Sequence, residues 1–139
     1  METTTTKKQS SDFEWKMERE YFRFFSRGYD VKKAKEIIVK TPREVNVMGL
    51  SGVKNMVKRP QRDEKGQITS FSLGISVDWD RIDSTTEIDL DFPTILANHG
   101  NGDYWPIDGW HRIAKAVDMG QESLPVVVLS EEETKQVSI

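Results

Sequence analysis

The chain has 139 residues, no cysteine, two histidines and a formal net charge of −3. This length suits one domain with its own core, and the lack of thiols excludes disulfides, cysteine-ligated metal centres and a cysteine nucleophile. The charge is divided unevenly: residues 1–66 carry 16 Lys/Arg and 10 Asp/Glu, and residues 67–139 carry 4 Lys/Arg and 13 Asp/Glu. A basic half and an acidic half indicate two different tasks.

No apolar run approaches the roughly 20 residues of a membrane helix. The polar start over residues 1–8 also lacks the apolar stretch of a signal peptide. We therefore expect a soluble, cytoplasmic protein with no membrane partner.

The first half of the chain predicts an arm followed by helices. Residues 1–11 hold almost nothing to bury and predict a disordered arm. Capping residues and helical spacing predict helices over 13–27 and 31–40, and a third, short helix from Pro42. Trp15 and Phe22 fall outside the apolar stripe of the first helix. Residues 12–66 are thus expected to form a basic, mainly helical extension.

The second half, residues 67–139, predicts a core of the α/β (α+β) class. Strands are expected over 68–77, 87–90, 94–98, 104–107 and 124–129, with 54–59 as a hairpin partner of the first. A glycine turn is expected at 98–102, an amphipathic helix from Gly109 to about Gly120, and a short helix capped by Ser130. Strand, helix and strand in this order predict a small mixed sheet with a parallel βαβ crossover.

The junction between the 104–107 strand and the following helix is the strongest candidate site. If the helix begins near Gly109, its first amides lack intrahelical partners and the helix dipole adds positive charge. Gly109 permits close approach, and His111 and Arg112 bring further donors, so the junction predicts an anion site, with phosphate the obvious anion. The structural alternative is that Asp108 caps the helix, His111 bonds a carbonyl and Arg112 pairs with Asp108 or Asp103.

The run Tyr-Trp-Pro-Ile-Asp-Gly-Trp-His-Arg-Ile-Ala-Lys-Ala (104–116), then Gly120 and Leu-Pro-Val-Val-Val-Leu (124–129), resembles the core motif of the ParB/sulfiredoxin-like superfamily. Such domains have a strand ending in an Asp-Gly-x-His-Arg or Gly-x-Arg-Arg box, a helix, a glycine and a strand entered through proline. The resemblance covers about residues 75–133.

The resemblance implies a small α/β domain whose box binds nucleotide phosphates. Gly109, the adjacent amides including that of Trp110, His111 and Arg112 would contact phosphate, and Asp108 would shape the turn or hold Mg²⁺. Members use CTP, ADP or ATP, so one of these nucleotides is implied. Trp110 stands where sulfiredoxin has its catalytic cysteine, which excludes sulfinic-acid repair, and the lack of a doubled arginine argues against CTP-driven clamping.

The acidic stretch from Asp78 to Asp91 offers a second candidate feature. An EF-hand starting at Asp78 is excluded because Asp83 stands at the sixth position, where glycine is needed. Alternating Asp89 and Asp91 on a strand would face a phosphate-bound Mg²⁺ or act as a general base. The alternative is a solvated acidic edge that discourages strand pairing.

The basic half suggests contact with nucleic acid. Residues 41–59 superficially resemble a helix-turn-helix with 53–58 as the recognition helix. We prefer the interpretation that these basic residues contact DNA phosphates without sequence specificity. The alternative is a solvated helical face that binds no nucleic acid. The candidate DNA-contacting residues are Lys54, Lys58, Arg59 and Arg62.

These observations favour a nucleotide-phosphate-binding ParB-like protein that associates with DNA in a phage or plasmid setting. One alternative is a Mg²⁺-dependent kinase, phosphohydrolase or nuclease that uses Asp89 or Asp91. The others are a non-enzymatic inhibitor or adaptor and a helix-turn-helix regulator.

Overall fold

A computed structural model describes residues 8–24, 26–57, 59, 61–70, 75, 77–84 and 88–139. Its α-helices are α1 (Val31–Lys40), α2 (Trp79–Ser84), α3 (Trp110–Asp118) and α4 (Glu131–Val137). Its strands are β1 (Tyr21–Phe24), β2 (Arg27–Asp30), β3 (Asn46–Gly49), β4 (Gln61–Arg62), β5 (Ile68–Ser70), β6 (Thr94–Asn98), β7 (Tyr104–Pro106) and β8 (Ser123–Val128). The predicted mixture of helices and strands is confirmed.

The central sheet has four strands in the order β3-β8-β6-β7. The β6–β8 pair is parallel and the other two pairs are antiparallel, so the predicted mixed sheet with a parallel pair is confirmed. The crossover differs from the prediction, because positive φ angles at Gly100, Asn101 and Gly102 turn β7 back along β6. The parallel connection therefore runs from β6 through β7 and α3 to β8.

Two buried clusters hold the helices on this sheet. One joins Ile95 and Val127 of the parallel strands to Ile38 of α1 and Val137 of α4. The other joins Leu124 to Ile113 and its neighbours on α3. The helix start at α3 is thereby fixed against a rigid sheet, which is the arrangement that a precise binding site needs.

The predicted helix over 13–27 is wrong. Residues 13–20 have no regular structure, and β1 and β2 form an antiparallel hairpin; Phe25 lies outside the described residues. Phe22 and Tyr29 are paired across this hairpin with stacked rings 6.3 Å apart. Such an aromatic cross-strand pair favours strands over a helix. The helix over 31–40 is confirmed as α1, and Asp30 caps it by accepting a hydrogen bond from Lys33 N at 3.1 Å.

The third helix, expected from Pro42, is also wrong. Residues 46–49 instead form β3, which pairs with β8 at the edge of the central sheet. Only a single 3-10 turn, Lys54–Met56, stands where a recognition helix was expected. The helix-turn-helix interpretation therefore fails over the described residues. β3 comes from the basic half of the chain and pairs with β8 from the acidic half.

The remaining local predictions divide between confirmed and wrong. Residues 68–70 form β5, but its partner is β4 and not 54–59, while 71–74 and 76 lie outside the described residues. Residues 88–90 are not a strand, and 87 is outside the described part. The arm expected over 1–11 is wrong at Gln9, which is bridged to Glu44; residues 1–7 are outside the described part. Residues 79–84 of the acidic stretch form α2, and the expected short helix capped by Ser130 is confirmed as α4.

Among the described residues, no helix combines the length and apolar character needed to cross a membrane.

Candidate functional site

A cleft of about 590 Å³ lies beside the start of α3. One wall is the segment 108–112, here called the box, and the facing wall is the irregular segment 13–20, here called the strap. Arg81 of α2 and Asp89 also line the cleft. This volume falls in the range of small-molecule sites.

The start of α3 has the polarity of an anion site. Gly109 precedes the helix with φ +87°, and no side chain caps the helix. The first turn holds no acidic residue. Within the described part of the chain, the amides of Trp110, His111 and Arg112 have no hydrogen-bond acceptor. Three N–H donors and the positive end of the helix dipole are therefore available to an anion.

Arg112 stands over this helix start, and its Nε donor is unused within the described residues. Its Nη2 donates to Pro93 O at 3.2 Å and to Asp108 Oδ2 at 3.4 Å, and the guanidinium lies 5.1 Å from the Phe92 ring centroid. Its Nε is buried and has no partner. The expected Arg112–Asp108 pair is thus present, but Asp108 does not cap the helix.

Gly109 leaves room for the Thr94 and Arg112 side chains, which both pack against its backbone. A Cβ atom on Gly109 would lie 2.6 Å from Thr94 Oγ1 and 2.7 Å from Arg112 Nη2. Thr94 is fully buried, and its hydroxyl, like the Arg112 Nε, lacks a hydrogen-bond partner. Glycine is therefore required at 109 by both its φ angle and its neighbours.

His111 is already used as a hydrogen-bond acceptor. Its Nε2 accepts from Asp78 N at 3.2 Å, which requires a neutral ring with its proton on Nδ1. Burial is the main cause that lowers the pKa of His111 from 6.5, and the nearby Arg81 and Arg112 lower it further. The Nε2 atom is thus already engaged, and a direct contact of His111 with phosphate stays a prediction.

The Trp110 side chain belongs to the core. It is 6 % exposed, its Nε1 donates to Pro106 O at 2.9 Å, and its ring stacks with that of Phe22 at 6.1 Å. Only its backbone amide is available to a ligand.

Asp89 and Asp91 do not share a strand face. They form a turn in which Asp89 Oδ1 accepts from Asp91 N at 2.9 Å, and Asp89 O accepts from Phe92 N at 3.2 Å. Asp89 lines the cleft, whereas Asp91 is not among its lining residues. No group of three or more His, Asp or Glu side chains suited to a metal ion occurs in the described ranges. Metal binding at Asp108 stays a prediction.

Sequence reasoning missed the strap. Its Trp15 Nε1 donates to Ser10 O at 2.9 Å, and the Trp15 ring packs edge-on against Phe92 at 4.8 Å. At its other end, Glu20 accepts from Lys35 Nζ at 3.2 Å. Trp15 lies outside the apolar stripe of the predicted helix. This mismatch was the signal in the sequence against a helical segment.

The candidate DNA-contacting residues are separate from the cleft. Arg59 donates to Asp83 at 2.6 and 3.0 Å and to Asp118 at 3.1 Å, and it lies over Trp79. These bonds raise the pKa of Arg59 above its ordinary value. Arg62 donates to Gly66 O within its own turn, Lys54 is exposed, and Lys58 lies outside the described residues. The structure thus gives Arg59 an internal role.

We expect Arg59→Gln to lower the melting temperature by about 3 °C, the scale of a modest ion-pair network. Its affinity for duplex DNA should equal that of the wild type at every salt concentration. Thermal unfolding and a DNA titration across salt check both results. A loss of DNA affinity with an unchanged melting temperature contradicts the internal role.

Comparison of the chain with protein-family models, with curated proteins and with solved structures finds no match.

Proposed function

We propose that this protein binds the phosphate groups of a nucleotide at the start of α3. The observation that carries the proposal is the group of unused backbone donors at the start of α3, the amides of residues 110–112. A phosphate accepts several such hydrogen bonds at once, and a helix start favours its negative charge.

The rest of the cleft supports a ligand larger than inorganic phosphate. Its volume of about 590 Å³ exceeds the space that one phosphate needs. Lys16, Arg19 and Arg81 line it and make no ion pair within the described residues. Tyr21, also at the cleft, is 57 % exposed and offers a ring for stacking against a base.

The resemblance of the box to ParB/sulfiredoxin-like proteins supports ATP, ADP or CTP as the ligand. Mg²⁺ fits as a companion of the phosphates, because Asp89 and Asp108 both line the cleft. Protein sites for Mg²⁺ commonly supply one or two carboxylates and leave the other positions to phosphate and water.

Thermal unfolding with each nucleotide, with and without Mg²⁺, tests the proposal. The wild type should gain stability by about 2.7 kcal/mol when the ligand concentration is roughly a hundred times Kd. Arg112→Ala should lose most of this gain, because it removes the cation over the helix start.

The gain on adding ligand is compared within each variant, so any intrinsic loss of stability in Arg112→Ala cancels. The matched control is Arg62→Ala, which removes an exposed arginine whose one hydrogen bond among the described residues is to Gly66 O in its own turn. It should respond to nucleotide as the wild type does. If no nucleotide stabilises the wild type, the proposal is wrong and a non-enzymatic adaptor becomes the better interpretation.

Asp89 favours one enzymatic alternative, a kinase or phosphohydrolase, because its carboxylate lines the same cleft. Release of nucleoside diphosphate or phosphate from bound nucleotide, lost in Asp89→Asn, would support it. The proposed association with DNA is supported only by the excess of basic residues in the first half of the chain.

A further inference from the structure

The start of α2 is tied to the start of α3 through one residue. Asp78 donates its backbone N–H to His111 Nε2 at 3.2 Å. Its side chain accepts from Arg81 N at 3.1 Å, so Asp78 also caps the short helix that carries Arg81. His111 therefore adds a hydrogen bond between the box and the start of α2, beside the Arg59 bridge from Asp83 to Asp118 and the packing of Ile82 on α3.

Arg81 has no ion pair within the described residues, unlike Arg59 and Arg112 nearby. Arg59 bridges two aspartates, and Arg112 is bonded to Pro93 O and Asp108. Arg81 lines the cleft, and its guanidinium has no ion pair among the residues that the structure describes. It faces the cleft from a different element than Arg112 does, so a ligand at the box can meet cations from two sides.

On the basis of the proposed function, we infer that Arg81 is a second anion-binding residue of this site, and that His111 is its positioning residue. His111 acts through Asp78 and does not contact the phosphate through Nε2. Acid should therefore weaken ligand binding, because protonation of His111 removes the acceptor that anchors Asp78.

The sign of this pH effect separates the two roles. A histidine that contacted phosphate directly would gain positive charge in acid and bind the anion more tightly. In this structure the charged groups around His111 are Arg81 and Asp78 from α2 and its cap, Arg112 from α3 and Glu20 from the strap. Once protonated, both ring nitrogens are donors, and the Asp78 N–H faces a donor instead of an acceptor.

Two substitutions test the two residues. Arg81→Ala should weaken nucleotide binding about tenfold at pH 7.5 with little change in melting temperature, since one charge-assisted hydrogen bond is lost from an exposed side chain. His111→Gln keeps an acceptor close to the position of Nε2 and cannot be protonated. It should bind nearly as well as the wild type at pH 7.5.

The decisive measurement is the nucleotide Kd by calorimetry between pH 7.5 and pH 5.5, using whichever of ATP, ADP and CTP stabilises the wild type. Because phosphate itself titrates near pH 6, the quantity compared is the ratio of wild-type Kd to the Kd of His111→Gln. We expect this ratio to rise several-fold in acid. Arg62→Ala is the control and should follow the wild type throughout.

Each outcome bears on a different statement. A ratio that falls in acid assigns His111 to direct phosphate contact and overturns its positioning role. Unchanged affinity in Arg81→Ala removes Arg81 from the site while nucleotide binding stands. If the wild type binds none of the three nucleotides, the proposed function fails and this inference fails with it.

Discussion

Gly109→Ala should lower the free energy of unfolding by about 3 kcal/mol, from a left-handed backbone and a steric clash together. The φ angle of Gly109 is +87°, and the added Cβ would lie 2.6 Å from Thr94 Oγ1. Thr94 is fully buried in β6, so its side chain has no free space to move into. The Arg112 guanidinium, 2.7 Å from the same Cβ, would also be displaced, and nucleotide affinity should fall with stability.

Gly120→Ala is the matched control for this substitution. Gly120 has φ +75°, and beyond its chain neighbours no described residue lies within 4 Å of an added Cβ, so only the cost of the left-handed backbone, about 1 kcal/mol, should appear. Urea unfolding of both variants measures the difference that close packing at Gly109 makes. Equal losses of stability in the two variants would show that glycine is needed at 109 only for its positive φ angle and not for close packing.

A second variant tests which neighbour causes the clash. Thr94→Ala removes the hydroxyl, and in the double variant with Gly109→Ala the combined loss should be smaller than the sum of the single losses. Strict additivity would contradict the close contact between these two residues.

The C-terminal part of the fold could be predicted because its signals are local. Trp110, Ile113, Ala114 and Val117 mark α3 by their spacing, and the apolar run 124–129 marks β8. Ser130 forms the expected cap of α4, where it accepts from Glu133 N at 3.1 Å. Each of these elements is specified by residues close together in the chain.

The N-terminal part was mispredicted because contacts distant in sequence determine it. Trp15 rests on Phe92, and β3 pairs with β8, whose residues lie more than seventy positions later. Helical spacing in 13–27 and the cap-like start at 41–44 were real local patterns, but pairing in the sheet and packing on Phe92 outweighed them.

The candidate site divides along the same line. The unpaired start of α3 and the position of Arg112 in its first turn could be predicted from the order of strand, glycine and helix along the chain. The positions of Asp78 against His111, and of the strap across the cleft, depend on how separate segments meet. The sequence alone could therefore suggest the anion site but not its second wall.

Arg43→Met should also cost about 3 kcal/mol at pH 7, because it removes the charged partner of a largely buried carboxylate and leaves it only the Ser130 N–H among its described donors. Arg43 Nη1 and Nη2 donate to the two oxygens of Glu133 at 2.5 and 2.8 Å, and the two side chains are 17 % and 18 % exposed. Further bonds from Arg43 to Val128 O and Thr41 O join the entry to β3 with the end of β8. Urea unfolding measures the loss.

The cost of Arg43→Met should shrink in acid but not vanish. The Arg43 guanidinium holds the pKa of Glu133 below its ordinary value of 4.5. A carboxyl group with a lowered pKa stabilises the fold above that ordinary value, and the contribution disappears as the pH falls through the folded-state pKa. The bonds to Val128 O and Thr41 O do not titrate, so part of the loss should remain at pH 3.

Arg27→Met supplies the comparison, since Arg27 pairs with Asp103 at 2.9 Å in the same chemistry but with both side chains 44 % exposed. It should cost much less than Arg43→Met at pH 7, because water screens the exposed pair. Equal losses in the two variants, or a loss in Arg43→Met that is the same at pH 7 and pH 3, would contradict the role of the buried carboxylate. The part of the Arg43→Met loss that disappears in acid would be assigned to the buried Glu133 carboxylate, and the part that remains at pH 3 to the lost bonds to Val128 O and Thr41 O.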